Sequence, residues 1–253
     1  MVTTWTGAAG PTSDNNYALS DANNWSNGVP NRDNGQGPDV VFNNAGTVIL
    51  NGSMVNTSDG GSLTVTGNST VTVSGTRYMG NVTVGSGSTL NIGQTDFKSS
   101  EILLNGTLNV SVCGSDPGGN GARLVFGIEG IMNVAQGFWG ASNFNVSGML
   151  ATFSTDIALG EFQFVTRTLI TSASFNGGSL SLGEFTSADG SALTKVSGEM
   201  TGNAADHQGQ YYLYTEGGNL KVQYVVAGGI PEPATASLSL IGLAALMMRR
   251  RRA

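Results

Sequence analysis

Charged side chains are scarce in this sequence, since Asp, Glu, Lys and Arg make up 11% of its 253 residues. It has one histidine, His207, and one cysteine, Cys113. A lone histidine excludes a zinc site built from several histidines and gives little basis for a Ser-His-Asp triad. A lone cysteine excludes an intrachain disulfide, so Cys113 either links two chains or is a small side chain near a strand end.

Strong helix formers are also few, while the chain contains 38 glycines and many Ser, Thr and Asn residues. This composition disfavours a helical domain, and the content of Val, Ile, Leu and Phe is too high for plain disorder. The length allows one large domain or two small ones. We therefore expect an all-β protein.

The chain is acidic apart from its last residues. Residues 1–230 carry 7 basic and 16 acidic side chains, a formal net charge of −9. Nucleic-acid binding requires a basic surface, so a nucleic-acid partner is not expected. An acidic surface suits an exterior location or contact with cations.

The middle of the chain contains a repeat of about twenty residues. Similar segments begin at positions 63, 82, 102, 124 and 144, and an earlier one begins at Val40. Each consists of an alternating strand, a turn of Gly, Asn or Ser, and a second alternating strand. This period predicts a solenoid, in which no single repeat buries enough apolar surface to fold alone.

We predict a right-handed parallel β-helix, with residues 114–121 as a loop leaving one corner. The alternative is a β-sandwich of hairpins with strands every 8–12 residues. The predicted divisions are a cap and first repeat at 1–50, solenoid repeats at 51–168, a C-terminal β region at 169–226, a linker at 227–229 and a tail at 230–253.

The two ends of the body differ from its middle. Trp5 and Trp25 precede the first Val-Phe strand, an arrangement that resembles the first repeat of autotransporter-like β-helix proteins. They are expected to cap the hydrophobic end; alternatively, with Tyr17, they form a platform for glycan contact. At the other end, residues 210–226 predict a β-hairpin around Glu216-Gly-Gly-Asn219.

The tail has three blocks, Pro231-Glu232-Pro233, an apolar run and four arginines. Ala234 to Met248 contains 15 residues without a charge. As a helix this run reaches about 22 Å, short of the ~30 Å hydrocarbon core, so it is a marginal membrane span. Basic residues stay on the cytoplasmic side, which would place the body on the opposite side of the membrane. The arginines are Arg249, Arg250, Arg251 and Arg252.

This order of blocks resembles the PEP-CTERM sorting signal in its Verrucomicrobia-type form. The resemblance implies recognition of Pro231, Glu232 and Pro233 by a membrane-embedded exosortase-type enzyme, and removal or exchange of residues 230–253. An ordinary C-terminal anchor is the alternative. Residues 1–7 lack the features of a secretory signal, so we expect an export signal that stands outside these 253 residues.

No arrangement of residues predicts catalysis, a cofactor or a metal site. The acids that a glycan-degrading enzyme would need are dispersed, with Asp156 near Glu161 and Glu184 near Asp189 in sequence. We expect a non-catalytic, exported structural or adhesin-like protein of the cell surface or matrix. Expected partners are the exosortase-type enzyme, the membrane before processing, and extracellular polysaccharide or other surface proteins. The alternatives are a carbohydrate-binding module and a glycan-degrading β-helix enzyme.

Overall fold

The fold is all-β and was obtained as a computed structural model. The structure describes residues 1–31, 33–51, 57, 60–74, 78–97, 100–115, 121–138, 144–172 and 180–229. Within these ranges, two short 3₁₀ segments, Ala22–Asn24 and Ala204–His207, accompany the strands. The strands are β1 Val2–Thr4, β2 Asn16–Ala18, β3 Asp39–Asn43, β4 Thr47–Asn51, β5 Ser62–Thr66, β6 Thr70–Val73, β7 Tyr78–Met79, β8 Asn81–Val84, β9 Thr89–Phe97, β10 Glu101–Leu104, β11 Thr107–Ser115, β12 Ala122–Phe126, β13 Ile131–Phe138, β14 Phe144–Leu150, β15 Phe153–Ser154, β16 Phe162–Ser172, β17 Leu180–Ser187, β18 Thr194–Lys195, β19 Gln210–Glu216 and β20 Asn219–Gly228.

The strands form two long sheets between which the chain alternates. The eight-stranded sheet has the order β1-β3-β5-β8-β10-β12-β14-β17, and every neighbouring pair in it is parallel. The twelve-stranded sheet has the order β18-β19-β20-β16-β13-β11-β9-β6-β4-β2, with β15 and β7 as short side strands. Each predicted repeat places one strand in each sheet, which is consistent with a solenoid-like fold. A sandwich of hairpins would pair consecutive strands antiparallel, so this pairing disfavours that alternative.

Equivalent residues of successive repeats are paired in register and fill one core. In the eight-stranded sheet the paired column is Val40, Leu63, Val82, Ile102, Leu124 and Val146. In the twelve-stranded sheet it is Val48, Val71, Leu90, Leu108, Met132 and Ile170. All of these side chains are buried in a single hydrophobic cluster. Strand alternation therefore directs one apolar stripe from each sheet into the same interior.

Glycine and serine allow the chain to turn tightly between the two sheets. A Cβ on Gly130 would lie 1.8 Å from the Leu104 carbonyl oxygen, so no larger residue fits there. Ser69 is buried in an equivalent turn, and its hydroxyl donates a 2.6 Å hydrogen bond to the Thr66 carbonyl. Because backbone hydrogen bonds also continue through these turns, neighbouring repeats remain paired around the corner.

The long strands of the twelve-stranded sheet turn a second corner within their length. In β9, Ile92 and Thr95 are both buried and the two residues between them face outward. In β11, Val110 and Cys113 are likewise both buried, and the two residues between them are partly exposed. Beyond this corner β7 pairs with the far end of β9, so the strands continue around the core as a further face.

The C-terminal part changes from parallel to antiparallel pairing. β16 is parallel to β13 and antiparallel to β20, so the boundary predicted at 168/169 falls inside one strand. The predicted hairpin is confirmed, because β19 and β20 pair from Tyr211 to Glu216 around Gly217 and Gly218. Both glycines have positive φ values, 57° and 81°, as a type I′ turn requires.

The predicted flexible linker at 227–229 is wrong for these residues. Ala227 and Gly228 belong to β20 and pair with β15. Their amides donate hydrogen bonds of 2.8 Å to the carbonyls of Thr152 and Glu161. A Cβ on Gly228 would lie 1.9 Å from the Ala158 carbonyl oxygen. The glycine here permits close backbone approach, rather than flexibility.

Candidate functional site

The sorting-signal residues lie outside the described residues. These are Pro231, Glu232, Pro233 and the arginines at 249–252, and the apolar run at 234–248 lies outside as well. Within the described ranges, no helix has the length and apolarity that crossing a bilayer requires. The sorting function of the tail therefore stays a prediction.

Trp5 and Trp25 are buried at the N-terminal end of the body, with 7% and 4% of their surface exposed. Their rings meet edge to face with centroids 5.0 Å apart, and Trp5 also lies 5.6 Å from Phe42. The Trp25 indole donates a 3.0 Å hydrogen bond to the Leu19 carbonyl. A glycan platform needs exposed ring faces, so this burial favours a cap over the predicted glycan contact.

The acids considered for catalysis lie in exposed positions. Asp156 and Glu161 belong to the connection between β15 and β16, Glu184 lies in β17, and Asp189 lies in the turn that follows β17. The Ser191 amide hydrogen bond lowers the pKa of the Asp189 carboxyl group. Over the described positions, no group of three or more His, Cys, Asp or Glu residues is placed to hold a metal ion.

His207 and Cys113 are both held within the fold. His207 closes the second 3₁₀ segment, where its Nδ1 lies 3.0 Å from Gln210 Oε1 and its ring lies 5.6 Å from that of Phe164. The side chain of His207 is half-buried. Cys113 is buried in β11, and burial raises the pKa of its thiol, with a smaller contribution from Asp96. A neutral, buried thiol does not suit a link between chains.

A ladder of polar side chains runs along the outer face of the twelve-stranded sheet. Asn133 Nδ2 donates a 2.7 Å hydrogen bond to Asn109 Oδ1, and Asn109 Nδ2 donates one of 2.7 Å to Asn91 Oδ1. Asn91 Nδ2 continues the ladder with a 3.0 Å bond to Thr72 Oγ1, and the Thr171 hydroxyl donates to Asn133 Oδ1. We call these five residues the amide ladder. Its members are paired in register on β6, β9, β11, β13 and β16.

An open groove of about 610 Å³ follows the amide ladder. Its lining includes Ser74, Ser111, Ser172 and Asn219 beside the ladder itself. Each asparagine amide has two N–H groups, and among the described residues only the ladder bond engages one of them, which leaves the second available to a ligand. The groove thus offers a row of neutral donors at the spacing of strands in a sheet, about 4.8 Å. It suits a neutral, extended, hydroxyl-rich ligand better than a charged one.

The outer face of the eight-stranded sheet carries shorter polar contacts at the starts of its strands. The Ser62 hydroxyl donates a 2.8 Å hydrogen bond to Asp39 Oδ1 on the preceding strand. Further along, Arg123 Nη1 lies 2.6 Å from Glu101 Oε2, with both side chains about half exposed. These contacts join neighbouring repeats, and among the residues that the structure describes they do not form a continuous ladder.

The sequence analysis did not identify the amide ladder. The signal was present, because Asn91, Asn109 and Asn133 each occupy the third position of their strand. Their equivalence depends on the register between neighbouring strands of the twelve-stranded sheet, which the repeat spacing alone does not fix. No known protein family, curated protein or solved structure gives a significant match to this chain.

Proposed function

We propose that this chain is an exported, non-catalytic structural protein of the cell surface or extracellular matrix, with its body wound as a right-handed parallel β-helix. The observation that carries the proposal is the in-register pairing of core residues from Val40 to Val146 across six strands. Stacked repeats that share one core form a stiff body, because each repeat is stable only against its neighbours. Stiffness of this kind suits a mechanical or scaffolding role.

The amide ladder gives this body a polar surface for extracellular partners. Its side chains are half-buried and bonded to one another, so they are held in place before a partner arrives. Preorganised donors lose little conformational entropy on binding. Extracellular polysaccharide or a neighbouring surface protein is the proposed partner.

Delivery is proposed to depend on the tail at 230–253. Pro231, Glu232 and Pro233 would be recognised by an exosortase-type enzyme while the apolar run holds the chain in the membrane. The four arginines would keep the end of the tail on the cytoplasmic side. Removal of the tail would then release the body to the surface.

Expression in two bacterial strains tests the proposal. The chain, with an export signal placed before it, is produced in a bacterium with an exosortase-type enzyme and in the same strain without that enzyme. We expect a mature C-terminus near residue 230 by mass spectrometry, and surface or matrix location, in the first strain only. A Pro231→Ala/Pro233→Ala variant should stay membrane-bound, while Pro11→Ala, in the body, should be processed normally. An intact tail and an intracellular body in both strains would refute the proposal.

A carbohydrate-binding module is the second candidate, and the groove along the amide ladder favours it. This function predicts measurable binding of the body to neutral polysaccharide. Asn109→Ala should weaken that binding, because it removes the central donor. Binding that is unaffected by this substitution would leave the purely structural role.

A further inference from the structure

A second groove lies on the outer face of the C-terminal hairpin, beside two tyrosines. Tyr212 and Tyr214 of β19 are half-buried, whereas Tyr211 and Leu213 between and beside them point into the core. The rings of Tyr212 and Tyr214 stack with centroids 5.1 Å apart and planes inclined by 9°. They form an apolar wall that carries two hydroxyl groups.

The segment 195–197 also lines this groove. This segment is fixed to β19, since β18 pairs with Gln210 and Tyr211 and the Val196 amide donates a 2.9 Å hydrogen bond to the Tyr211 carbonyl. The groove has a volume of about 560 Å³, and Ser197 and Thr215 are among the residues that line it. Backbone hydrogen bonds join this segment to β19, so the groove exists before any ligand binds.

Lys195 supplies a positive charge at the edge of this groove. It is exposed and, within the described part of the chain, it makes no ion pair or hydrogen bond. The other three cations described are engaged with acids or backbone carbonyls: Arg123 with Glu101, Lys221 with Glu216, and Arg167 with Gly130 and Met149. An unpaired lysine is unexpected in a body with a net charge of −9 over residues 1–230.

We propose that this groove binds an acidic carbohydrate, with a pyranose ring against Tyr212 and Tyr214 and a carboxylate at the Lys195 ammonium group. A sugar ring combines apolar C–H faces with hydroxyl edges, which matches an aromatic wall flanked by hydroxyl groups. The single cation selects a sugar that carries a carboxylate over a neutral one. The site is separate from the amide ladder and goes beyond the structural role proposed above.

Calorimetric titration of the complete chain with defined oligosaccharides tests this site. The acidic probes are hexamers of galacturonate, mannuronate and guluronate and a hyaluronan fragment; the neutral probe is the methyl ester of the galacturonate hexamer. We expect at least one acidic probe to bind, and its affinity to fall as salt rises from about 0.05 to 0.5 M, because screening weakens the Lys195 contact. The methyl ester should bind at least about threefold more weakly, in line with one exposed charge contact.

Matched variants separate the charge from the aromatic wall. Lys195→Gln should weaken binding of the acidic probe about three- to tenfold and remove most of its salt dependence. Arg123→Gln removes the same charge on the eight-stranded sheet and should leave binding unchanged. Tyr212→Thr and Tyr214→Thr should each weaken binding of both acidic and esterified probes, with circular dichroism to check that the variants fold.

Three results would overturn the proposal. The first is failure of all acidic probes to bind the folded chain. The second is equal weakening by Lys195→Gln and Arg123→Gln, which would indicate a general charge effect. The third is equal binding of poly-glutamate, which would indicate an anion site without carbohydrate recognition. None of these results bears on the processing and location experiment, so the two proposals fail separately.

Discussion

Asn109 donates a 2.7 Å hydrogen bond to Asn91, a residue 18 positions earlier in the chain. The contact joins side chains on the outer face of two strands whose opposite faces share the core. Each repeat is therefore attached to the next by core packing on the inside, by backbone pairing within the sheet, and by side-chain amides on the outside. The third attachment distinguishes this region from an ordinary amphipathic sheet.

Removing the centre of the amide ladder should destabilise the fold. Asn109→Ala breaks two hydrogen bonds, to Asn91 and from Asn133, and should lower the free energy of unfolding by about 1–2 kcal/mol. Thr72→Ala removes one ladder bond and should cost about half as much. Urea denaturation measures both, and equal effects would contradict a contribution from the ladder.

Replacing Thr95 with valine should stabilise the fold. Its hydroxyl is fully buried and has no hydrogen-bond partner among the described residues. Thr95→Val removes this unsatisfied group and should raise the free energy of unfolding by about 1–2 kcal/mol. Thr3 is the control, since it is equally buried but its hydroxyl donates a 3.0 Å bond to the Gly28 carbonyl. Thr3→Val should destabilise the chain, so the same substitution is expected to have opposite signs at the two sites.

The tight turn at Gly130 should not tolerate a side chain. A Cβ there would lie 1.8 Å from the Leu104 carbonyl oxygen, so Gly130→Ala must displace backbone. We expect a loss of at least about 2 kcal/mol in unfolding free energy. Gly198 has open space around its Cβ position, and Gly198→Ala should be nearly neutral. Similar melting temperatures for the two variants would show that the turn is not close-packed.

Buried tyrosines should make the fold sensitive to alkaline pH. Burial raises the pKa of Tyr224 above its ordinary value of 10, with Arg167 acting in the opposite direction, and burial likewise raises the pKa of Tyr211. The unfolded chain therefore releases these protons first as pH rises. Their contribution to stability is complete below about pH 10 and is lost as pH rises through the folded-state pKa. Tyr224→Phe should narrow the difference in unfolding free energy between pH 9 and pH 11, and an unchanged difference would contradict this account.

The thiol of Cys113 should react only when the fold opens. It is buried, and its raised pKa keeps it in the neutral form, which is a poor nucleophile. Labelling with a maleimide should be slow in buffer and should follow the urea unfolding transition. Rapid labelling of the native chain would mean that β11 opens locally far more often than its burial indicates.

The repeat and the strand pattern could be predicted because alternation and turn residues are local signals. The segments starting at 63, 82, 102, 124 and 144 correspond to β5, β8, β10, β12 and β14. The second corner was not predicted, since two consecutive outward residues between Ile92 and Thr95 resemble an interrupted strand. Its cause is the wrapping of the sheet around the core, which is a tertiary property.

The structure at the two ends of the body also depends on tertiary contacts that local sequence patterns do not reveal. Trp5 and Trp25 suit either a cap or a glycan platform in sequence, and only packing against Phe42 separates these interpretations. Ala227-Gly228-Gly229 resembles a linker because glycine is common where chains are flexible. Here the partner strand β15 lies more than seventy residues earlier in the chain, so no local pattern indicates it.

The in-register pairing of the buried columns from β5 to β13 means that the length of the body can change by whole repeats. Each junction in this stretch repeats the pairing of the buried core columns, and the register shift between Val110 and Val112 lies beyond that part of β11, so inserting or deleting one repeat preserves the core pairing. The aromatic cluster lies at one end of the body and the antiparallel strands lie at the other. Inserting or deleting a repeat between them would leave both unchanged. Evolution could therefore extend or shorten the body by whole repeats, changing how far it reaches while leaving both ends intact.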